Sequence, residues 1–338
     1  MQAYFQMLIE RFGAAWNRFW YSPSDPLTLS VLRVCVGLLA TYTVFTYSFD
    51  LTSVFGADGL VPVRMVRSLQ EGRLRFSYLE YIHGNSTLWA VHLAGLAIML
   101  LFTAGVFTRV TSVLALVVFL SYIHRAVLLT SQFEPVLAFL LFYLCLGPAG
   151  AYLSVDRRLA LRRGAGIAPE VSASFAATIA IRLMQVHLTV VYAMMALSKI
   201  SGMVWWNGTA AWWLMLNSRD TLMDFSGLSD KAIRENTASA GSRLAIYLIN
   251  AWTHLILAFE LSFPILVWNR LARPLVVAAG VLVWGSVAVL TGLLSFALVM
   301  IVANLAFLSP NQMRSLLGLL GRRPAASTPA TGAATGTQ

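Results

Sequence analysis

The chain has 338 residues, of which 58% are hydrophobic and 11% are charged, and its mean hydropathy is +0.73. Soluble domains carry about 25% charged residues, so this composition excludes an ordinary soluble domain and a disordered chain. The net charge of +10 does not indicate nucleic-acid binding, because arginine collects on the loops at one side of membrane proteins. The sequence therefore predicts an all-α integral membrane protein.

Residues 1–22 predict an amphipathic helix that lies in the membrane interface. Aromatic and aliphatic side chains recur at helical spacing from Tyr4 to Phe19, with charged residues between them. Pro23 then separates this helix from the first long apolar run.

Apolar runs of suitable length predict a bundle of about eight transmembrane helices within one domain, residues 23–312. The predicted spans are 28–49, 86–107, 109–128, 133–153, 177–199, 244–268, 272–291 and 293–309. The remaining residues, 313–338, end in a stretch of Ala, Thr, Ser, Pro and Gly and predict a disordered cytoplasmic tail.

The arginines between the spans predict the orientation of the chain. They occur before the first span, after the eighth, and on every second loop between, which places both termini in the cytoplasm. Two long segments of mixed charge, 50–85 and 200–243, then lie on the external side, where long segments commonly cover a site.

The fifth span carries a polar stripe. Its members lie at helical spacing on one face, and they are Arg182, Gln185, Thr189, Tyr192 and Lys199. One interpretation is hydrogen bonding between helices, with Lys199 extended to the outer interface. The other is a functional site in which Lys199 acts as a general base.

The segment after Lys199 favours the second interpretation. It is rich in tryptophan, including Trp206, and such residues sit at membrane interfaces. The lysine would then lie just below the surface, where desolvation favours the neutral amine that a general base needs. Lys199 and Lys231 are the only lysines among the 24 basic residues.

The sixth span supplies further polar side chains for such a site, Asn250 and His254, together with Glu260, which we expect nearer the cytoplasmic half. No two histidines stand three or four residues apart, so we expect no metal site. Three histidines could each supply an axial haem ligand, and the sequence does not separate them: His92, His187 and His254.

Two charged residues flank the loop between the third and fourth spans. Arg125 ends one span and Glu134 begins the next. They could form an ion pair with each other, or Glu134 could orient Lys199 or its substrate.

Several stretches together resemble the HTTM domain, the membrane domain of vitamin K-dependent gamma-carboxylases and their bacterial relatives. The resemblance covers about residues 28–310. It rests on LRVCVG at 32–37, DGLVP at 58–62, LCLGPAGAYLSVDRR at 144–158, QVHLTVVYAMMALSKISGMVWWNG at 185–208, THLILAFELSFPILVW at 253–268 and FALVMIVANLAFLSP at 296–310.

The resemblance implies a bacterial cytoplasmic (inner) membrane protein with an active site that opens to the external side. It also implies that Lys199 is the base that deprotonates a reduced quinone. For an enzyme of this kind we expect Tyr192 and Glu134 to orient the lysine or the substrate. Cofactor contacts are then expected from Gln185, Thr189, Asn250, His254 and Trp206.

The sequence also departs from the family pattern. It has no histidine within 131–136, it carries Trp284 and Gly285 where many bacterial relatives have a histidine, and we expect a stand-alone membrane domain. Three functions stay open: a quinol- or lipid-dependent modification enzyme, a non-catalytic maturation or partner protein for a secreted or membrane peptide, and a transporter.

Overall fold

The computed structural model describes residues 2–57, 59–72, 75–163, 171–217 and 240–320. These residues form helices and connecting loops, and no strand occurs among them apart from one isolated bridge between Ser24 and Ser174. The prediction of an all-α fold is confirmed for this part of the chain.

Fifteen α-helices are named here in chain order within the described ranges. They are α1 (Gln2–Tyr21), α2 (Leu27–Thr46), α3 (Leu51–Phe55), α4 (Val63–Leu69), α5 (Asn85–Ala104), α6 (Thr108–Arg125), α7 (Phe133–Leu146), α8 (Val155–Arg163), α9 (Phe175–Ile200), α10 (Met203–Trp206), α11 (Ala210–Asn217), α12 (Ala240–Leu266), α13 (Arg273–Thr291), α14 (Leu294–Asn304) and α15 (Pro310–Leu320). Short 3-10 helices cover Tyr47–Asp50, Tyr78–Tyr81 and Leu305–Phe307.

Each predicted span coincides with a helix, and five helical stretches of the described chain are long and apolar enough to cross a membrane. These are Leu27–Phe55, Asn85–Ala104, Phe175–Ile200, Leu244–Leu266 and Arg273–Thr291, and shorter apolar helices cover Phe133–Leu146 and Leu294–Phe307. The predicted span 133–153 was too long, because Gly147 leaves the helical conformation immediately before Pro148.

Helix α2 forms the centre of the bundle. It packs against α5, α7 and α14, and 67% of its apolar stretch is buried, against 28–39% for the other four candidate spans. Its inward side chains are aliphatic and small, including Leu32, Val36 and Ala40, so neighbouring helices approach closely.

At one end of the bundle, which we call the arginine-rich end, two charged residues connect neighbouring segments: Arg33 and Asp156. Arg33 of α2 is fully buried and donates to the carbonyl of Leu153 at 2.6 Å. Asp156 accepts from the N–H groups of Phe107 and Thr108 at 2.9 and 3.0 Å, which caps the start of α6.

The same contacts decide the charge state of Asp156. Partial burial opposes ionisation, but the hydrogen bonds from Thr108 and Phe107 and the charge of Arg33 outweigh it. Together they hold the pKa of the Asp156 carboxyl below its ordinary value.

At the opposite end, the first predicted external segment folds over the end of α6. Arg125 is fully buried and donates to the carbonyls of Val61 at 2.8 Å and Gly56 at 3.1 Å. The ion pair considered for Arg125 and Glu134 is therefore not formed. The guanidinium of Arg125 instead donates to backbone carbonyls of the segment 50–85. Residues 218–239 of the second predicted external segment lie outside the described residues.

The predicted tail begins too early at 313. Helix α15 continues to Leu320 and packs against α2, with Met313 fully buried. The apolar side chains of this helix pack on the bundle. The composition of the predicted tail did not indicate this packing. Residues 321–338 lie outside the described part of the chain.

Candidate functional site

Lys199 and Glu260 form an ion pair between α9 and α12. The Nζ of Lys199 donates to Oε1 of Glu260, whose side chain is fully buried, while the lysine side chain is 18% exposed. The second oxygen of Glu260 is buried and has no hydrogen-bond partner among the residues that the structure describes. A buried carboxylate oxygen without a donor is costly, so this carboxylate is a candidate acceptor for a proton or a ligand group.

The structure corrects the expected depth of Glu260. We expected it nearer the opposite half of the bundle from Lys199, yet the two side chains meet. Helix α12 packs beside α9, and side chains on a helix lean toward its N-terminus, so Lys199 extends back into the bundle rather than out to the surface. Snorkelling of Lys199 to the interface is therefore wrong.

Trp205 covers the ammonium group of Lys199. The Nζ atom lies 4.9 Å from the centre of the Trp205 ring, within range of a cation–π interaction. Trp205 belongs to α10, which follows α9 after a turn in which Gly202 donates to the carbonyl of Lys199. The lysine is thus held between a carboxylate on one side and an indole ring on the other.

A cavity of about 440 Å³ lies next to this indole ring. Its lining is mostly apolar and comes from α10, α11 and the turn between α13 and α14: Val204, Trp205, Ala210, Trp213, Leu214, Thr291 and Leu293. Trp205 lines the cavity and also contacts the ammonium group of Lys199, which is not itself among the lining residues.

Three of the predicted cofactor contacts come together beside this site. His254 faces the carbonyl of Trp206, with Nε2 at 3.3 Å, and its Nδ1 lies 2.8 Å from the carbonyl of Asn250. Gly208 has φ +70°, and a Cβ atom at this position would lie 2.8 Å from Cε1 of His254. Only glycine lets the loop after α10 approach α12 so closely.

Tyr192 belongs to a separate, fully buried network. Its hydroxyl accepts from Nε1 of Trp284 at 2.6 Å and from Nδ2 of Asn304 at 3.0 Å, and its ring stacks on Phe263. Seven residues separate Tyr192 from Lys199, or about 10 Å along the helix. The contacts of Tyr192 join α9, α12, α13 and α14, so they hold the helices that carry the ion pair.

The rest of the polar stripe also contacts neighbouring elements. Gln185 donates to the carbonyl of Ala306 at 2.8 Å and accepts from Arg182 at 2.9 Å, and the hydroxyl of Thr189 donates to the carbonyl of Gln185. These contacts place Gln185 and Thr189 toward the arginine-rich end and away from Lys199. For Gln185, hydrogen bonding between elements fits the contacts, whereas the hydroxyl of Thr189 bonds the backbone of its own helix.

Glu134 does not reach Lys199, whose carboxylate partner is Glu260. Glu134 lies in the first turn of α7, where the helix N-terminus favours negative charge. Its Oε2 atom is buried and has no hydrogen-bond partner in the described part of the chain. The orienting role expected for Glu134 therefore passes to Glu260.

Two of the remaining histidines are engaged by other side chains. His92 is fully buried between Tyr122 at 2.6 Å and Ser48 at 2.8 Å, and His187 faces the hydroxyl of Tyr143 at 3.0 Å. Within the described ranges, no three His, Cys, Asp or Glu side chains cluster as metal ligands.

Sequence reasoning missed the partners that complete the site. Glu260, Trp205, Trp284 and Asn304 were not assigned to Lys199 and Tyr192, although each lies within an apolar or aromatic stretch. A useful signal was available, because a carboxylate within a span must find a cation, and few cations lie in the spans: Lys199 and the arginines Arg33, Arg125 and Arg182 are among them.

A comparison of the chain with protein-family models, curated proteins and solved structures finds no match. The class of protein is thus described from its fold and its site alone. It is an all-helical protein with several helices apolar enough to span a membrane, and it carries a desolvated Lys–Glu pair beneath a tryptophan.

Proposed function

We propose that the chain is an HTTM-type membrane enzyme that uses Lys199 as a general base on the external side of a bacterial inner membrane. The proposal includes eight membrane-crossing helices, both termini in the cytoplasm, and α1 in the membrane interface. Large apolar side chains of α1 are exposed, including Ile9, Phe12 and Trp16, which suits a helix embedded in lipid.

The observation that carries the proposal is the ion pair between Lys199 and Glu260 under Trp205. An amine can accept a proton from a substrate only after it has lost its own, and Glu260 is in direct contact to receive that proton. In a desolvated pair, the neutral acid and neutral amine lie closer in energy to the charged pair than they do in water. Lys199 would then take the proton of a substrate hydroxyl.

The cavity beside Trp205 suits an aromatic or lipid substrate. Its walls offer the indole rings of Trp205 and Trp213, on which a flat ring can stack. A reduced quinone, when bound, would supply a weakly acidic hydroxyl group. The residues of the chain would hold its ring, exclude water and move one proton from that hydroxyl to Nζ of Lys199.

The experiment compares cells that express wild-type protein, Lys199→Met, Glu260→Gln and Lys231→Met. Mass spectrometry of quinones, lipids and secreted peptides should reveal a modified species that depends on the protein. We expect Lys199→Met to reduce it about 100-fold or more, as loss of a general base does, and Glu260→Gln to reduce it less. Lys231→Met removes the other lysine and should leave the species unchanged.

The enzyme proposal fails if Lys199→Met yields folded protein and the same amount of every modified species as wild type. Thermal unfolding of the purified variants checks folding independently of activity. A loss in Lys231→Met equal to that in Lys199→Met would also contradict a role specific to Lys199.

A second candidate, a non-catalytic maturation partner for a secreted or membrane peptide, is favoured by the exposed apolar side chains of the segment 50–85. Leu60 is 77% exposed and Tyr81 is 66% exposed. Photocrosslinking from Leu60 should capture one defined peptide if this function holds, and Lys199→Met should not weaken the capture. The third candidate, a transporter, is less favoured, because Arg182, Gln185 and Tyr192 of the stripe are each engaged in a hydrogen bond with a neighbouring element.

A further inference from the structure

A second cavity lies at the arginine-rich end, about 25 Å along α9 from Lys199. Its volume is about 300 Å³, and its walls come from the end of α1, the start of α2, the first turns of α9, the turn between α12 and α13, and the residues before α15. Nothing in the proposed chemistry of Lys199 uses it.

Four arginines line this cavity. Arg182 and Arg273 are half-buried, whereas Arg18 and Arg270 are exposed at its rim. The charges of Arg270 and Arg273 act unfavourably on Arg182, so the guanidinium groups are close enough to repel one another.

The hydrogen bonds of these arginines do not neutralise their positive charge, because none of the acceptors is a carboxylate. Arg182 donates to the carbonyl of Phe19 at 3.2 Å and to the amide oxygen of Gln185, and Arg273 donates to the carbonyl of Val267 at 3.0 Å. These acceptors are neutral. Arg18 and Arg270 form no side-chain hydrogen bond with the rest of the described chain.

The cavity has one carboxylate in its lining, and that carboxylate is already paired. Asp25 forms an ion pair with Arg314, which stands outside the lining. Four positive charges therefore face a partly enclosed space in which the described chain supplies one carboxylate, and that carboxylate is already engaged by a fifth arginine. Holding like charges together away from bulk water is unfavourable unless an anion joins them.

We propose that this cavity binds a phosphate group, either as the headgroup of an anionic phospholipid or as a free anion. Guanidinium groups match phosphate oxygens in charge and geometry, and basic pockets between membrane helices suit anionic headgroups. In the proposed orientation the cavity lies at the cytoplasmic surface.

The test uses purified full-length protein in nanodiscs of phosphatidylcholine alone or with added phosphatidylglycerol. Thermal unfolding and native mass spectrometry report stabilisation and retained lipid. The variants are Arg270→Gln with Arg273→Gln, and as the matched control Arg162→Gln with Arg163→Gln. The control removes the same charge from exposed positions of α8.

We expect phosphatidylglycerol to stabilise the wild type and the α8 control. The Arg270/Arg273 variant should need about tenfold more of the lipid for the same stabilisation, as expected for lost charged hydrogen bonds. Inorganic phosphate forms the second arm. Stabilisation by phosphate in phosphatidylcholine nanodiscs assigns a free anion, and stabilisation by the lipid alone assigns a headgroup.

Two results would overturn the site. One is equal loss in the α8 control, which means a general surface-charge effect, and the other is no response of wild type to either anion. Because Arg273 also bonds the end of α12, a second variant, Arg18→Gln with Arg270→Gln, removes guanidinium groups without described hydrogen bonds. An unaltered response in this folded variant contradicts the proposal.

Discussion

At the scale of single residues, the polar side chains of α9 divide into two kinds. Lys199 meets a carboxylate that has an unsatisfied oxygen, whereas Tyr192 meets donors and acceptors that satisfy its hydroxyl. A buried hydroxyl whose hydrogen bonds are all made stabilises the packing of helices. A buried carboxylate oxygen without a donor is instead a candidate acceptor for a proton or a ligand group. In the proposed function, Lys199 and its partner Glu260 are therefore the reactive pair, and Tyr192 is a positioning residue.

Tyr192→Phe tests this division. The ring and its stacking on Phe263 remain, but the donors of Trp284 and Asn304 lose their acceptor, so we expect a loss of about 1–3 kcal/mol in unfolding free energy. Modified product per folded molecule should stay within about twofold of wild type, because no proton of the proposed reaction passes through this hydroxyl. Unfolding in detergent micelles and product mass spectrometry measure the two effects.

The same variant could give the reverse pattern, with stability unchanged and product lost. Tyr192 would then be catalytic, as its place on the polar stripe first suggested, and its hydrogen bonds to Trp284 and Asn304 would have to open during the reaction.

At the scale of elements, the connections between helices decide which residues meet. The loop after α10 reaches α12 only because Gly208 has a positive φ and no side chain. At the other end, Asp156 of α8 caps α6 from a different part of the chain. Neither contact follows from the helices taken singly.

Gly208→Ala should separate the loop from α12. The added methyl group would meet His254 and strain the backbone, so we expect a loss of about 1–3 kcal/mol in stability and a weaker site. Gly285→Ala serves as the control, because open space surrounds Gly285 within a helix and alanine favours helices there. Similar unfolding temperatures for the two variants would contradict the close approach of this loop.

The lowered pKa of Asp156 predicts that the stability of the fold depends on pH. Its pKa is lower in the folded chain than its ordinary value of 3.8, so ionised Asp156 stabilises the fold above that value. This contribution disappears as the pH falls through the lowered pKa, because the protonated carboxyl no longer caps α6 as a charge. Asp156→Asn should be less stable than wild type at neutral pH and should lose less stability on acidification.

The measurement is thermal unfolding between about pH 5 and pH 2, because the contribution of Asp156 is lost only as the pH falls below the ordinary carboxyl pKa. Asp50→Asn, at an exposed position, is the control and should follow the wild type. Parallel curves for wild type and Asp156→Asn would contradict the capping role.

At the scale of the whole molecule, the two ends of the bundle differ in chemistry. The arginine-rich end holds a cavity with four positive charges, and the other end holds the lysine site beside tryptophans and the segment 50–85. Arg125 is the anchor of that segment, because its guanidinium bonds two carbonyls within it.

Arg125→Met should loosen the segment 50–85 without unfolding the bundle. Removing charged hydrogen bonds to Val61 and Gly56 should raise amide exchange in residues 59–72 about tenfold or more. Arg64→Gln, which removes an exposed arginine of the same segment, should exchange like the wild type. Equal exchange in the two variants would show that Arg125 does not anchor the segment.

Hydropathy alone predicted the helical class and placed every span on a helix, because an apolar run of this length has to satisfy its backbone hydrogen bonds internally. Helical spacing also placed Lys199 and Tyr192 on one face of α9. The failures were at positions where partners come from distant segments: Arg125 bonds carbonyls 64 and 69 residues away, and Lys199 bonds Glu260, which is 61 residues away.

Tertiary structure alone decided the pairing of charges. Periodicity fixes the face of a helix on which a side chain lies, but the depth at which two helices meet depends on packing and on the loops between them. Glu260 rather than Glu134 therefore reaches Lys199, and Arg182 faces three other arginines across a cavity. Part of the strong positive charge of the composition surrounds one cavity, which is where we propose that a phosphate group binds.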